Sequence, residues 1–392
     1  MESNNQYLIS LIDKYIELFK RRPQVCAKAP GRANVIGEHT DYNNGFVLPF
    51  GIDKCIYGCG SKRNDDKIII HTVDFKDHAE FALNNITSDP FKTWVNYPKG
   101  VLSEMIRDGY HLGGFDMIFG GNVPVAAGLS SSAAVEVVTA VLLREVFRIN
   151  IEDMDLVKLC QNAERNFVGV QCGIMDQFAS YMAKKDHTVL LDCRSLDYEY
   201  IPFDLRSHSV VLCNTLKKRE LVDSEYNSRR TECEKGVEYF YKIDPDINSL
   251  RDVELALFEE QKDKLDKSVR KRCEHVIKEN ARVMDCINAL KKNDLVETGK
   301  LLLESHYSLK YLYEVSCDEL DILIEIGKET SGFLGGRMMG AGFGGCTINI
   351  VENTHLDNFC KKVKSEYSKK TSITPEIYIC RVEDGAEVIE TN

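Results

Sequence analysis

The segment at residues 128–143 constrains the fold of this chain more than any other part of its sequence. Residues 128–132 are a glycine, a leucine and three consecutive serines, and a run rich in alanine and valine follows them. This run favours a helix with almost no polar face. Such a helix must be buried. A helix N-terminus carries unpaired N–H groups and partial positive charge, so a phosphate binds there readily. An ordinary serine-capped core helix explains the segment equally well at this point.

Length, charge and cysteine usage narrow the class of protein. A chain of 392 residues is long enough for two domains, and a net charge of -11 without a basic stripe argues against nucleic-acid binding. No apolar run approaches the roughly 20 residues that span a bilayer, and residues 1–22 are predicted to form an amphipathic surface helix. The 14 cysteines are scattered and predict reduced core thiols in a cytoplasmic protein.

The periodicity of apolar residues predicts an α+β protein with sheets in both halves. Strands are expected at 47–59, 67–73, 115–120, 189–193, 198–203 and 209–213, with helices at 91–107 and 154–168 and after the serine loop. Farther on, helices are expected at 220–241, 269–291, 294–313 and 318–330, then a glycine-rich loop at 332–345, a strand at 346–351, a helix at 355–370 and a strand at 376–382. The expected domains are residues 1–205 and 206–392.

Residues 30–45 concentrate polar groups on a turn flanked by glycines. Glu38, His39 and Asp41 lie beside Arg32 and Tyr42, a set that can exchange several hydrogen bonds with a polyhydroxylated ligand. A metal site or a solvated loop is the alternative, although a single histidine makes a poor transition-metal site.

Two carboxylates farther along the chain are candidates for chemistry. Asp176 follows Gly173 in an apolar neighbourhood, where an isolated carboxylate is costly unless a cation or hydrogen-bond donors compensate it. It is therefore either a helix cap or a catalytic base with a basic partner. Glu164 lies twelve residues earlier on a predicted helix, and either faces solvent or ligates a cation near phosphates.

Several common nucleotide motifs are missing from the sequence. It contains no Gly-x-x-x-x-Gly-Lys-Ser/Thr segment and no His-Arg-Asp or Asp-Phe-Gly of the protein kinases. Residues 340–345 match Gly-x-Gly-x-x-Gly, but a strand is predicted after them, where the dinucleotide fingerprint requires a helix. The glycines of residues 335–345 instead indicate a close approach to the backbone, by a phosphate or by another loop.

Three of these segments together resemble one family. Residues 31–49 resemble the signature segment of galactokinases, 123–134 the ATP-binding motif of the GHMP small-molecule kinase superfamily, and 336–347 its third motif. Residues 173–178 and 225–233 resemble further galactokinase segments in the expected order, so the resemblance runs from about residue 26 to 383. It implies an N-terminal domain similar to ribosomal protein S5 domain 2, a ferredoxin-like C-terminal domain, and an active site in the cleft between them.

The resemblance also implies roles for particular residues. Asp176 would take the proton of the anomeric hydroxyl, and Arg32 would keep Asp176 ionised and stabilise the transferring phosphoryl group. The residues that would bind the ATP phosphates are Ala126, Ala127, Gly128, Leu129, Ser130, Ser131 and Ser132. Mg²⁺ would be held by Ser132 and Glu164. The residues that would bind the sugar are Glu38, His39, Thr40, Asp41, Gly173 and Tyr226. Two positions are equally consistent with the sequence for Trp94: near the adenine, as the resemblance implies, or in the core.

The chain departs from the family pattern at four places. Ala126 replaces a usual glycine and Met339 a usual threonine, which bears on nucleotide affinity more than on activity. Arg219 replaces a common histidine, and residues 309–313 lack the usual acidic pair. Nothing in the sequence explains the last two.

The resemblance implies a monomeric, cytoplasmic enzyme that uses ATP and Mg²⁺ to convert D-galactose to α-D-galactose 1-phosphate. One rival is a kinase of another sugar, such as N-acetylgalactosamine, arabinose or galacturonate, although Thr40 and residues 43–45 match the galactose type better. The other is a sensor that binds galactose and ATP without phosphorylation. Known sensors lack residues of the serine loop, which is complete here, and Asp176 and Arg32 are both present.

Overall fold

The computed structural model describes residues 2–124, 127–217 and 222–390. Its α-helices are α1 (Glu2–Phe19), α2 (Asn96–Arg107), α3 (Ser131–Phe147), α4 (Asp153–Asn162), α5 (Met175–Met182), α6 (Val222–Tyr241), α7 (Leu255–Gln261), α8 (Lys267–Lys291), α9 (Leu295–Ser308), α10 (Asp318–Lys328) and α11 (Leu356–Thr371). Its strands are β1 (Val25–Asn34), β2 (Phe46–Val47), β3 (Pro49–Lys62), β4 (Lys67–Thr72), β5 (Asp77–Ala82), β6 (Phe115–Gly121), β7 (His187–Asp192), β8 (Tyr198–Pro202), β9 (His208–Asn214), β10 (Phe333–Met338), β11 (Cys346–Glu352), β12 (Glu376–Cys380), β13 (Val382–Glu383) and β14 (Glu387–Ile389).

A seven-stranded sheet forms the centre of the first half. Its order is β14-β1-β3-β6-β4-β5, with β13 beside β3, and only the β4–β6 pair among the described strands is parallel. The helix α3 packs against β1 and β3 and is buried along most of its length, as its apolar run predicts. This packing holds the serine loop at the helix N-terminus beside β1.

A four-stranded sheet, in the order β10-β11-β9-β12, forms the centre of the second half, and a three-stranded sheet, β2-β7-β8, lies between the two. The helices α10 and α11 pack beside each other, and α8 packs against α6 and α9. Mixed helices and sheets in both halves confirm the α+β class. Among the described helices, none combines the length and apolar character needed to cross a bilayer.

The C-terminal end of the described chain returns to the first sheet. Val388 in β14 pairs with Ala27 in β1, and Val382 in β13 pairs with Ile52 in β3. Residues beyond 205 therefore complete the sheet of the first half. The division of the chain at residue 205 stays a prediction.

The prediction of a loop over residues 332–345 is wrong for its first part, which forms β10. The glycines there serve packing, because a Cβ on Gly335 would lie 1.9 Å from the carbonyl oxygen of Gly299 in α9. A strand that approaches a helix backbone this closely has no space for a side chain. The remaining loop, 339–345, contains Gly340, Gly342, Gly344 and Gly345, all at positive φ.

Three predicted helices differ from the structure at their ends. The helix predicted from residue 91 begins at Asn96, because the Asp89 carboxylate accepts hydrogen bonds from the backbone N–H groups of Phe91 and Lys92 and so holds a turn. The helices predicted over 154–168 and 294–313 end in π-helical turns, Ala163–Val168 and Leu309–Tyr313. Such turns are frequent at functional sites.

A buried arginine joins the glycine-rich segment to β1. Arg337 in β10 has no exposed surface and donates to the carbonyl oxygens of Asn34 (2.6 Å), Val35 (2.8 Å) and Met338 (2.6 Å). Its Nη1 also lies 2.9 Å from Oε1 of Glu38, which is 2% exposed. Each of the three guanidinium nitrogens therefore has an acceptor, and Arg337 links the two halves of the chain at the turn formed by residues 35–45.

We expect Arg337→Met to reduce the free energy of unfolding by about 3–5 kcal/mol, because it leaves Glu38 buried without its partner. Urea denaturation measures this loss. Arg206→Ala is the control, since the Arg206 side chain is 88% exposed and its removal should change stability by at most about 0.5 kcal/mol.

The double variant Arg337→Met with Glu38→Gln separates charge from packing. It should recover part of the lost stability, because the unpaired buried charge is gone. Equal stability of the single and double variants would contradict this account.

Candidate active site

A cavity of about 290 Å³ brings the predicted site residues together. It is lined by Arg32, Glu38, His39, Asp41 and Tyr42 of the signature segment, by residues 128–132, by Glu164, Gly173, Asp176 and Tyr226, and by Gly340 and Ala341 of the glycine-rich loop. A larger groove of about 1200 Å³ shares none of these residues. The smaller cavity is therefore the candidate active site.

The serine loop forms one wall of this cavity. Gly128 and Ser130 both have positive φ (79° and 57°), and α3 begins at the next residue, Ser131. Five of the seven predicted phosphate-binding residues, Gly128 to Ser132, line the cavity. Ala127 is fully buried behind it, and Ala126 lies outside the described residues. The wall thus presents a helix N-terminus and three hydroxyl groups, as an anion site requires.

Asp176 lies in the first turn of α5 and is held from both sides. Arg32 Nε donates to its Oδ1 at 2.8 Å, and Ser130 Oγ donates to its Oδ2 at 2.5 Å. Arg32 also donates through Nη1 to the carbonyl oxygen of Gly128 at 2.6 Å. Burial alone would lower the pKa of Arg32, but the carboxylates of Asp176 and Glu38 outweigh it and raise that pKa. The burial problem noted in the sequence is therefore resolved by an arginine and a hydroxyl group.

Glu38 connects the signature segment to the glycine-rich loop. Besides Arg337, its Oε1 accepts a hydrogen bond from the backbone N–H of Gly340 at 2.8 Å, and its Oε2 accepts one from Asn34 Nδ2 at 2.9 Å. Burial alone would raise the pKa of Glu38, but the guanidinium groups of Arg337 and Arg32 outweigh it and lower the pKa. Glu38 therefore stays charged and fixes the loop at the mouth of the cavity.

Two of the residues predicted to bind sugar fit against each other closely. A Cβ on Gly173 would lie only 1.8 Å from Oδ2 of Asp41, so the glycine makes room for that carboxylate. Burial and the nearby Asp176 carboxylate raise the pKa of Asp41 to about 7. The rings of His39 and Tyr226 have their centroids 5.7 Å apart.

Thr40 differs from the other predicted sugar ligands. It is fully buried and does not line the cavity, and its Oγ1 lies 2.7 Å from the carbonyl oxygens of both Gly37 and Phe46. These contacts close the turn that carries His39 and Asp41. Direct contact of Thr40 with a sugar stays a prediction without support from this geometry.

Glu164 lies beside Ser132 of the serine loop, in the π-helical turn after α4. It is 6% exposed, and burial and the Asp176 carboxylate raise its pKa to about 7. The Ser132 side chain interacts with Glu164, and Gln177 Nε2 donates to its Oε2 at 2.6 Å. The same amide nitrogen donates to the fully buried Glu136 at 2.9 Å.

Sequence reasoning missed Glu136 and Gln177, together with Arg337 and the buried Tyr313. A charged residue within the apolar run of α3 was the available signal for Glu136. Gln177, Arg337 and Tyr313 find their partners only in distant parts of the chain, so their sequence neighbours gave no signal. Trp94 packs 5.8 Å from Phe119 and donates from Nε1 to Asp77 at 3.2 Å, and it does not line the cavity.

Three family models match the chain: the GHMP kinases N terminal domain over residues 96–184, the galactokinase galactose-binding signature over 13–62, and the GHMP kinases C terminal over 286–369. A galactokinase of Fusobacterium nucleatum subsp. nucleatum is 45% identical over 97% of this chain and 99% of its own. A galactokinase of Bacillus subtilis is 42% identical over 92% of this chain and 94% of its own.

Solved structures show the same likeness. The crystal structure of Lactococcus lactis galactokinase complexed with galactose matches with a TM-score of 0.94 and 35% identity, covering 97% of this chain and 99% of that one. The mevalonate kinase of Methanococcus jannaschii matches with a TM-score of 0.64 at 19% identity, over 92% of this chain and 98% of its own, which shows a shared fold.

We expect Gly173→Ala to remove sugar binding while the protein stays folded, because the added methyl group displaces the Asp41 carboxylate from the cavity. Calorimetric titration with galactose measures the loss, which we expect to exceed tenfold. Gly113→Ala is the matched control, since its Cβ would meet its nearest neighbour at 3.5 Å, an ordinary contact. Unchanged galactose affinity in Gly173→Ala would contradict the placement of Asp41.

Proposed function

Because the chain belongs to the galactokinase family of the GHMP kinases, we propose that it transfers the γ-phosphoryl group of ATP to the anomeric hydroxyl of D-galactose. The product is α-D-galactose 1-phosphate. The resemblance noted in the sequence and the two-domain fold it implied are confirmed. The observation that carries the proposal is Asp176, held by Arg32 and Ser130 between the serine loop and the signature segment.

Asp176 is the proposed base. Each of its carboxylate oxygens accepts one hydrogen bond from the protein, and each keeps a further lone pair that can accept the proton of the anomeric hydroxyl. A base of this kind contributes about 10²–10⁴-fold to the rate. Arg32 forms an ion pair with Asp176 at 2.8 Å and would stabilise the negative charge that develops on the transferring group.

The serine loop is the proposed phosphate site. Backbone N–H groups at the start of α3 and the hydroxyl group of Ser131 supply donors on one wall of the cavity, whereas the Ser130 hydroxyl donates to Asp176. Phosphoryl transfer requires little covalent chemistry from a protein, so positioning the two substrates and stabilising charge account for most of the catalysis.

Ser132 and Glu164 are the proposed ligands of Mg²⁺. Both offer oxygen atoms, which this ion prefers, and they lie beside each other at the cavity wall. Among the described residues no group of three or more metal-binding side chains occurs, which suits an ion that takes its other ligands from phosphates and water. When bound, Mg²⁺ neutralises charge on the ATP phosphates.

The signature segment and its neighbours are the proposed sugar site. The Asp41 carboxylate, the imidazole of His39 and the Tyr226 side chain face the cavity beside Asp176, and Gly173 keeps the space open. The galactose bound in the Lactococcus lactis structure supports this class of ligand. Glu38 contributes by fixing Gly340.

We further propose that the enzyme acts as a monomer in the cytoplasm. Buried cysteines such as Cys160, Cys213 and Cys286 are present as thiols, which suits a reducing compartment that also supplies ATP.

An ADP-release assay with Mg-ATP tests the activity against galactose, 2-deoxygalactose, N-acetylgalactosamine, glucose, arabinose and galacturonate. We expect strong turnover for galactose and 2-deoxygalactose alone. Turnover of another sugar alone would keep the mechanism and overturn the substrate. No turnover, with galactose still protecting the protein from heat, would identify a sensor instead.

We expect Asp176→Asn to lower kcat about 10²–10⁴-fold, because the amide cannot accept the hydroxyl proton. Asp116→Asn is the matched control, since Asp116 is a buried carboxylate held at 2.7 Å by both Arg21 and Arg63, outside the cavity. It should lose stability and keep kcat. A kcat for Asp176→Asn within threefold of the wild type would rule out the role of Asp176 as base.

The raised pKa of Asp41 predicts a pH-dependent effect of Asp41→Asn on stability. A carboxyl group with a pKa of about 7 in the folded state binds protons more tightly there than when unfolded. Its favourable contribution is therefore complete below its unfolded pKa and is lost as pH rises through 7. Asp41→Asn has no such loss. The free energy of unfolding of the variant minus that of the wild type should therefore be larger at pH 8 than at pH 5.

After allowance for the partial exposure of Asp41, this difference should be about 1–2 kcal/mol. Urea denaturation of both proteins, without ligands, at the two pH values measures it. The same stability difference at both pH values would show that Asp41 titrates at its ordinary pKa.

A further inference from the structure

A chain of hydrogen bonds leads from the second half of the protein to the proposed sugar site. Tyr313 Oη lies 2.8 Å from Tyr42 Oη, which lies 2.7 Å from Nδ1 of His39. Cys233 Sγ lies 3.2 Å from Tyr313 Oη at the far end of the chain. His39 and Tyr42 line the cavity, whereas Tyr313 lies behind them with no exposed surface.

Tyr313 is held rigidly by its surroundings. It ends the π-helical turn Leu309–Tyr313, and Arg229 of α6 donates from Nε to its carbonyl oxygen at 2.9 Å. Its ring lies between the imidazoles of His39 and His275, with centroid distances of 4.7 and 4.5 Å. The hydroxyl group of Tyr313 therefore has one position, set by α6, α8 and the end of α9.

His39 depends on partners to keep a single orientation and a single tautomer. Its φ of 62° lies in the left-handed region, and Asn43 Nδ2 donates to its carbonyl oxygen at 2.8 Å. Burial lowers the pKa of His39 to about 3, against the smaller opposing influence of the Glu38 carboxylate. The ring is therefore neutral, with one nitrogen as donor and the other as acceptor.

We propose that Tyr313 is a positioning residue for sugar recognition, which acts through Tyr42 to hold the hydrogen of the His39 ring on Nε2. The two contacts allow Tyr313 to donate to Tyr42 Oη and Tyr42 to donate to Nδ1 of His39, and this order places the ring hydrogen on Nε2. Nε2 is buried and has no hydrogen bond of ordinary geometry with the described residues, although the backbone of Ala341 lies close enough to raise the pKa of the ring. A sugar hydroxyl that enters beside Ala341 can therefore accept its hydrogen. This inference rests on the proposed function, in which His39 contacts the sugar.

The aromatic side chains around His39 then have a role beyond packing. Tyr226 packs on both Tyr42 and His39, with centroid distances of 5.1 and 5.7 Å, and lies on the same helix as Arg229. The helix α6 therefore supplies one residue to the sugar site directly and fixes another through Tyr313.

Steady-state kinetics of Tyr313→Phe tests the proposal, since this change removes the hydroxyl group and keeps the ring. We expect the KM for galactose to rise about three- to tenfold, the range for loss of one hydrogen bond, with kcat and the KM for ATP within twofold of the wild type. Tyr367→Phe is the matched control. Tyr367 is also fully buried, but it donates to the carbonyl oxygen of Thr215 at 2.9 Å, away from the cavity.

A double-mutant cycle with His39→Asn distinguishes positioning from general loosening. Asparagine tolerates the positive φ at position 39 and lacks the ring. We expect Tyr313→Phe to add less than twofold to the KM in the His39→Asn background, because its effect passes through His39. Tyr42→Phe should behave like Tyr313→Phe, and it serves in its place if that variant does not fold.

Nitrogen-15 chemical shifts report the tautomer directly. We expect His39 in the wild type to carry its hydrogen on Nε2, and Tyr313→Phe to populate both tautomers. A single unchanged tautomer together with an unchanged KM in Tyr313→Phe, while the wild type phosphorylates galactose, would overturn this inference alone. A wild type that neither binds nor phosphorylates galactose would overturn the proposed function with it.

Discussion

The buried ion pair between Glu38 and Arg337 is the interaction on which the cavity depends. Arg337 in the second half of the chain donates to the backbone carbonyl groups of Asn34 and Val35 in the first half. Glu38 in turn accepts a hydrogen bond from the backbone N–H of Gly340 in the glycine-rich loop. Two charges buried together are costly unless their polar atoms find partners, and here each guanidinium nitrogen and each carboxylate oxygen has at least one. A pair of this kind fixes the relative position of segments some 300 residues apart in sequence.

The cavity concentrates more negative charge than the protein compensates. Arg32 pairs with Asp176, but Asp41, Glu164 and the buried Glu136 have raised pKa values because they are buried and lie near other carboxylates, Asp176 in each case. Such an arrangement lowers the stability of the folded protein, as functional sites commonly do. It also prepares the site for a divalent cation on one side and for the hydroxyl groups of a sugar on the other.

The sequence predicted the parts of this site that lie in local patterns. The apolar run after the serines required a buried helix. Asp176 in an apolar stretch required a cation or hydrogen-bond donors, and Arg32 and Ser130 supply both. The resemblance of several segments to one family supplied the roles. The glycines at 335–336 were placed in a loop, because glycine composition does not distinguish a turn from a strand that packs closely on a helix.

Contacts between distant residues were beyond such reasoning. In the sequence, Arg337 is one arginine in a glycine-rich segment, and only the structure shows that it bonds to the end of β1. Tyr313 likewise reads as a core aromatic residue, and only the structure places its hydroxyl group beside Tyr42. The return of β13 and β14 to the first sheet carried no signal of its own, because both strands are short.

A structure of the protein with galactose and a non-hydrolysable ATP analogue tests the central claim most directly. The account predicts that the anomeric oxygen lies within hydrogen-bonding distance of Asp176 and in line with the terminal phosphorus held by the serine loop. A different sugar hydroxyl at Asp176, or phosphates bound away from residues 128–132, would contradict it.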